Sequence, residues 1–584
     1  MNDKNRNIAG FVKRMACLFL ALVMAMSIVA CGNDPITANP TTAQLSTTVP
    51  APSTQVTQPV PSTPVATQPD VPPTTVPDEP PETEPNYELV YTLTQEAVDE
   101  FYRLLDECEK LSLAGEDMDA IDESVVALEE SFGYLDEQYS ISMIFHYAHT
   151  SDEELEQQYL DTVEIRTEAN DAYLQMVRRV YLSDSPAKDS LFEDWTQEEI
   201  DSLLAYDEEI AKLQQRNAEI EVEYRAATDD EKKIKLYIEF IKNNNKIAKY
   251  YGYDNYYTYA YERVYDRDYG IEELEQMRQY AKTELTNLYN NAYNNFYTSF
   301  YSRLTRKEQQ DVQNFLYANY NTLPKDYIGI YMDAVPDSLA EALEDMLDHD
   351  SLFTTATDAM EGAFTTMIGD RSYCYFGPGY WGASTVIHEG GHYYASLYSD
   401  LGSIPLDLAE VHSQANEWLF FTAMKKNINA NVRNALVDYK IYNDVAMAMV
   451  CLMVDEFEQR VYSANLKGFT AEDFDAIMAD IAKEYFVNGD VNEQLTDMNY
   501  YWRMVVVDQP IYYISYAVSG FAAISLFTVA DKDFDAAVAM YQKLCEEPVL
   551  DAGFLGNLRA VGIHSPFDEA FYQALKELIN GRSK

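Results

Sequence analysis

The sequence predicts a large, mainly α-helical domain, and three observations carry that expectation. From about residue 86 onward prolines are sparse, with only eight of the chain's 22 in that stretch. Helix-start signatures of the capping-box form recur: Ser151 to Glu154, Thr196 to Glu199, Thr228 to Glu231 and Thr470 to Asp473. In such a box a hydroxyl and an acid three residues on satisfy each other's backbone N–H. Segments 198–223 and 229–249 repeat apolar residues at helical spacing. Residues 86–584 are long enough to bury a substantial core and to divide into two lobes.

The first 30 residues read differently. Lys4, Arg6, Lys13 and Arg14 precede an apolar run from Met15 to Ala30, the charged and hydrophobic parts of a secretory signal. The run is shorter than a membrane span requires. It ends in Ile28-Val29-Ala30-Cys31-Gly32, which resembles a bacterial lipobox with Cys31 as the lipidated residue. A cleaved soluble signal is the competing reading. Residues 31–85 hold 14 of the 22 prolines, interleaved with Thr, Ser, Val and Gln. That composition cannot bury a core and makes an extended spacer, reaching on the order of 170 Å at about 3.1 Å per residue.

Charge narrows the partners. With 97 acids against 42 bases the net charge is -55, a field that repels nucleic acid and anionic lipid. No nucleic-acid partner is expected, and membrane contact is expected through the N-terminal lipid alone. Of six cysteines, Cys17 leaves with the signal and Cys31 takes the lipid; Cys108, Cys374, Cys451 and Cys545 are scattered and form no paired motif.

Chemistry concentrates in His388-Glu389-Gly390-Gly391-His392, in a chain with seven histidines. On a helix this spacing puts both imidazoles on one face, where they can share a metal ion, with Glu389 one position round. Apolar Val386 and Ile387 lead in, and Tyr394, Ala395 and Leu397 continue the stripe. Each glycine costs a helix about 1 kcal/mol relative to alanine, so close approach of another element is expected at Gly390 and Gly391. Catalytic zinc usually takes three protein ligands. Glu410 follows His392 with 17 residues between, room for a turn containing Gly402 and Pro405 and entry into a second helix, which is the spacing of zinc proteases whose third ligand is glutamate. The metzincin pattern needs a histidine where Tyr398 stands and is excluded. Glu417, two helical turns after Glu410, reads either as an orienting partner for a ligand histidine or as a solvated acid. His412, two residues from Glu410, points elsewhere on a helix. Segment 373–382 mixes aromatics with glycine and proline and reads equally as a strand and loop flanking a peptide or as a structural turn.

These strings, with Ala409-Glu410-Val411-His412-Ser413-Gln414-Ala415-Asn416-Glu417, resemble the thimet oligopeptidase and oligoendopeptidase F family of zinc metallopeptidases. Lys246 to Tyr256 with Arg267-Asp268-Tyr269, and Pro510 to Ala517, resemble two further segments of that family. The resemblance implies a two-lobed helical zincin-type domain with a deep central channel and a small β element near the site. It implies one zinc per chain on His388, His392 and Glu410, Glu389 as general base and acid, and Tyr513 and Tyr516 as oxyanion donors. Tyrosine packing is the alternative for the last pair, in a chain with 47 tyrosines. One departure is Val505, where the family usually carries a histidine. The expected activity is cleavage of short oligopeptides at the cell surface. Two rivals stand beside it: a peptide-binding lipoprotein with weakened catalysis, and a zinc aminopeptidase, whose expected Gly-x-Met-Glu-Asn string is absent.

Overall fold

A computed structural model describes residues 89–582, apart from 194, 205–207, 317–324, 400–403, 425–427, 487–502, 504–505, 508 and 550–551. The described chain opens with α1 (Gln95–Ala114), α2 (Met118–Ala148) and α3 (Glu153–Leu182). Thr94, Asp117 and Asp152 cap their first turns with side-chain acceptors. Phe101, Leu105, Leu128, Phe132, Tyr173 and Met176 close a core of their own between these helices. The much larger main core lies downstream, and a smaller cluster joins the end of α2 to the sheet.

The capping boxes are only partly realised. Thr470 and Asp473 form one before the helix Ala471–Tyr485. At the two other starts where the cap is described, the aspartate one position later takes the role: Asp152 for α3, and Asp229 for α4 (Asp230–Tyr250). Its carboxylate accepts N–H groups of the first turn and also favours the positive helix end, so it takes the place of the neighbouring hydroxyl. Ser151 instead donates to Asp358 Oδ2 at 2.6 Å. The helix Gln197–Leu204 begins directly after Thr196.

Beyond α5 (Asp337–His349) come β1 (Ser351–Phe353), β2 (Ala363–Ile368) and β3 (Arg371–Phe376). Their order is β1-β3-β2, with β1 parallel and β2 antiparallel to β3. Thr365 on β2 stands opposite Cys374 on β3. The aromatic segment 373–382 is thus half strand and half turn, delivering the chain into the next helix. There follow α6 (Ala383–Ser396), α7 (Leu406–Ala423), α8 (Ala430–Tyr462), α9 (Ile514–Ala530) and α10 (Phe534–Glu546). α9 is apolar on nearly every side, as a helix sealed in a core must be. It packs on α7 and α8 and so backs the site. Among the described residues no helix is long and apolar enough to cross a membrane.

Candidate metal centre

The two glycines of α6 explain how the site is assembled. A Cβ on Gly391 would lie 2.5 Å from the His412 carbonyl oxygen and 2.7 Å from Ser413 Cα, both on α7. One on Gly390 would lie 2.3 Å from Leu343 Cδ2 of α5. Helices α6 and α7 therefore touch backbone to backbone, and Asn416 Nδ2 donates to the Ile387 carbonyl at 2.7 Å to lock the crossing. Gly391→Ala is expected to destabilise the fold by about 1–3 kcal/mol, the usual cost of overpacking. Urea unfolding checks the stability, and zinc titration checks the accompanying displacement of Glu410.

That approach brings His388, His392 and Glu410 into one cluster whose ligand atoms all lie within 4.8 Å of one another. His388 Nε2 is 3.8 Å and His392 Nε2 4.0 Å from Glu410 Oε2. Glu410 is wholly buried, and His388 Nε2 is buried without a hydrogen-bond partner. Two imidazole nitrogens and a carboxylate oxygen, with one nitrogen unsatisfied, fit a divalent ion such as zinc.

Glu417 stands behind His388. Its Oε1 lies 2.8 Å from His388 Nδ1, and its Oε2 accepts from Ser384 Oγ at 2.7 Å. Lys440 of α8 reaches the same Oε2 at 3.2 Å and Asp444 at 2.9 Å. Burial alone would raise the Glu417 carboxyl, but Lys440, His388 and Ser384 outweigh it and hold it at about 2. Burial disfavours charge on His388, yet the hydrogen bond and charge of Glu417, with Glu389 and Glu410 beyond, raise it to about 9. The surrounding carboxylates therefore favour positive charge at this ring, whose proton must leave before Nε2 can hold a metal. Glu417→Ala is expected to weaken zinc binding roughly 10- to 100-fold, the usual effect of losing the group that orients a ligand histidine, as measured by competition with a chelator.

Glu389 has no exposed surface. Thr365 Oγ1 donates to its Oε2 at 2.7 Å, leaving Oε1 without a hydrogen bond. Burial raises its pKa to about 7, against the opposing pull of His388 and Thr365. His412 is buried on α7, where its carbonyl oxygen, facing Gly391, accepts from Tyr541 at 2.9 Å, and it takes no part in the ligand cluster.

The tyrosines arrive from the turn before α9 and from its first turn. Tyr512, which sequence reasoning passed over, donates to Glu410 Oε1 at 2.6 Å and lies 3.3 Å from the Tyr516 hydroxyl. Tyr513 sits at the N-cap of α9, 3% exposed, with its ring 5.8 Å from that of Tyr516. Cys108, Cys374, Cys451 and Cys545 are free and buried. Val505, Cys31 and the N-terminal segments lie outside the described residues.

No protein-family model and no curated protein sequence matches the chain. Solved structures do. PZ peptidase A, solved with inhibitor 2, superposes with a TM-score of 0.67 at 16% identity, over 86% of this chain and 98% of that one. A structure assigned as oligoendopeptidase F has a TM-score of 0.62 at 16% identity, over 86% of this chain and 98% of its own. Another, from Bacillus anthracis str. Ames, gives 0.61 at 16% identity, over 85% and 97%. The chain has the helical fold, with its small sheet, of these oligoendopeptidase F and PZ peptidase structures.

Proposed function

We propose that the chain is a zinc-dependent endopeptidase that hydrolyses short, unstructured oligopeptides. The observation that carries this reading is the convergence of His388, His392 and Glu410 within 4.8 Å, with Glu389 on the same helix as the two histidines. The shared fold with peptidase structures supports it. His388, His392 and Glu410 would hold the ion, and Glu417 and Tyr512 would fix the ligands from behind. A zinc bound there supplies a Lewis acid for the scissile carbonyl and acidifies water. Glu389 takes a proton from the attacking water and returns it to the leaving amine; a carboxyl raised to about 7 suits both directions. The hydroxyls of Tyr516 and Tyr513 are the proposed donors to the oxyanion that forms on the substrate. Restriction to short peptides rests on the deep channel that the sequence resemblance implies. On sequence grounds alone, the proposal also places the enzyme outside the cell, tethered by lipid at Cys31.

A peptide-library digest read by mass spectrometry, on protein containing about one zinc per chain, tests the reading. Internal cleavages support it. Release of terminal residues alone would make the protein an exopeptidase, and full zinc occupancy without cleavage would make it a peptide-binding protein. Val505→His is expected to raise kcat by restoring a transition-state donor, since losing one such donor costs roughly 2.7–4 kcal/mol. Steady-state kinetics on a quenched fluorescent peptide would register the gain; an unchanged rate would mean that another group already fills the role.

A further inference from the structure

We propose that Arg267 is a positioning residue for the metal centre, clamping the turn at Pro510 and Ile511 so that Tyr512 reaches Glu410. Arg267 is not itself one of the clustered ligand residues. Its side chain is completely buried, and Nη2 donates to the Ile511 carbonyl at 2.9 Å and to Ser515 Oγ at 3.1 Å. Nε lies 3.6 Å from Asp407 Oδ2 on α7, one turn ahead of Glu410. One guanidinium thus ties the start of the ligand helix to the tyrosine turn. The rings of Tyr261 and Tyr265 stack against it, each centroid 4.4 Å away. A planar, forked cation can fill that slot while bonding at its edge, which lysine cannot do.

The turn needs such a clamp. Ile511 has φ 65°, a left-handed conformation that strains a β-branched residue and persists only where the surroundings enforce it. Its N–H donates to Glu458 Oε1 at 2.8 Å, and its carbonyl belongs to Arg267. Tyr265 donates to the preceding Pro510 carbonyl at 2.7 Å. Every backbone polar group from the Pro510 carbonyl to the Ile511 carbonyl is therefore held, and the next residue is Tyr512. If Ile511 relaxed to an ordinary φ, the Tyr512 hydroxyl would swing off Glu410.

The inference rests on the zinc-site reading only through one of its two readouts. Arg267→Lys and the milder Tyr265→Phe, each alone and combined with Tyr512→Phe, are compared by zinc affinity and by the unfolding midpoint of metal-free protein. Tyr512→Phe and Arg267→Lys are each expected to weaken zinc roughly 10-fold, at the lower end of outer-shell effects. Arg267→Lys should add almost nothing once Tyr512 is phenylalanine, because both act through one hydrogen bond. Additive losses, or wild-type affinity in Arg267→Lys and Tyr265→Phe beside a weakened Tyr512→Phe, would overturn the clamp. Should Arg267→Lys not fold, the Tyr265→Phe cycle decides alone. Should the wild type bind no zinc, the zinc reading fails, and coupling of positions 265 and 267 to 512 in the metal-free midpoints still decides the clamp, zero coupling overturning it.

Discussion

Glu389→Gln is expected to lower kcat for peptide cleavage roughly a hundredfold to ten-thousandfold, the contribution of a positioned general base, while zinc content stays at about one per chain. The substitution preserves shape, and its amide oxygen can still accept from Thr365, which now donates to Glu389 Oε2 at 2.7 Å. It removes only the capacity to carry a proton. The carboxyl is suited to that task because it is fully buried; burial raises it to about 7, with His388 opposing. Stopped-assay kinetics beside metal analysis check the expectation. Near wild-type turnover would remove Glu389 from the mechanism, and simultaneous loss of zinc would recast it as a support of the ligand set.

The site was legible in the sequence where its chemistry is local. His388, Glu389 and His392 share one helix, and Glu410 and Glu417 share the next, so helical spacing alone orders them. The glycines between the histidines announced a close helix crossing, and α7 makes it. What stayed hidden depends on distant chain. Thr365 comes from β2 and Lys440 from α8, and neither leaves a periodic mark near the motif. Tyr513 and Tyr516 stay together at the start of α9, their ring centroids 5.8 Å apart. Tyr512 left no such mark, because it precedes the helix, follows the positive φ of Ile511 and meets Glu410 across 102 residues of chain. The caps of α3 and α4 moved by one residue because the sequence offered two acceptors side by side and local geometry chose the aspartate.

Lys440→Met is expected to cost on the order of 3–5 kcal/mol of unfolding free energy, the usual price of leaving buried charges unpaired. Lys440 is 5% exposed and bridges Glu417 at 3.2 Å and Asp444 at 2.9 Å. Methionine fills much the same volume beside Trp418, whose ring lies 5.2 Å from the ammonium, so a cavity is not the main term. The pH dependence separates charge from packing. Burial raises Glu417, but the partners, Lys440 foremost, depress it to about 2 in the folded wild type. A depressed carboxyl contributes stability above its unfolded value, and that contribution is lost as pH falls toward 2. The variant lacks most of it at neutral pH, so the gap between wild type and Lys440→Met should narrow as pH falls below about 4.5. Urea unfolding of metal-free protein at pH 7 and again near pH 3 measures both gaps. A gap independent of pH would assign the loss to packing. A closing gap would identify the lysine as the charge that keeps Glu417 ionised behind His388, and zinc affinity at pH 7 should then fall in the variant as it does in Glu417→Ala.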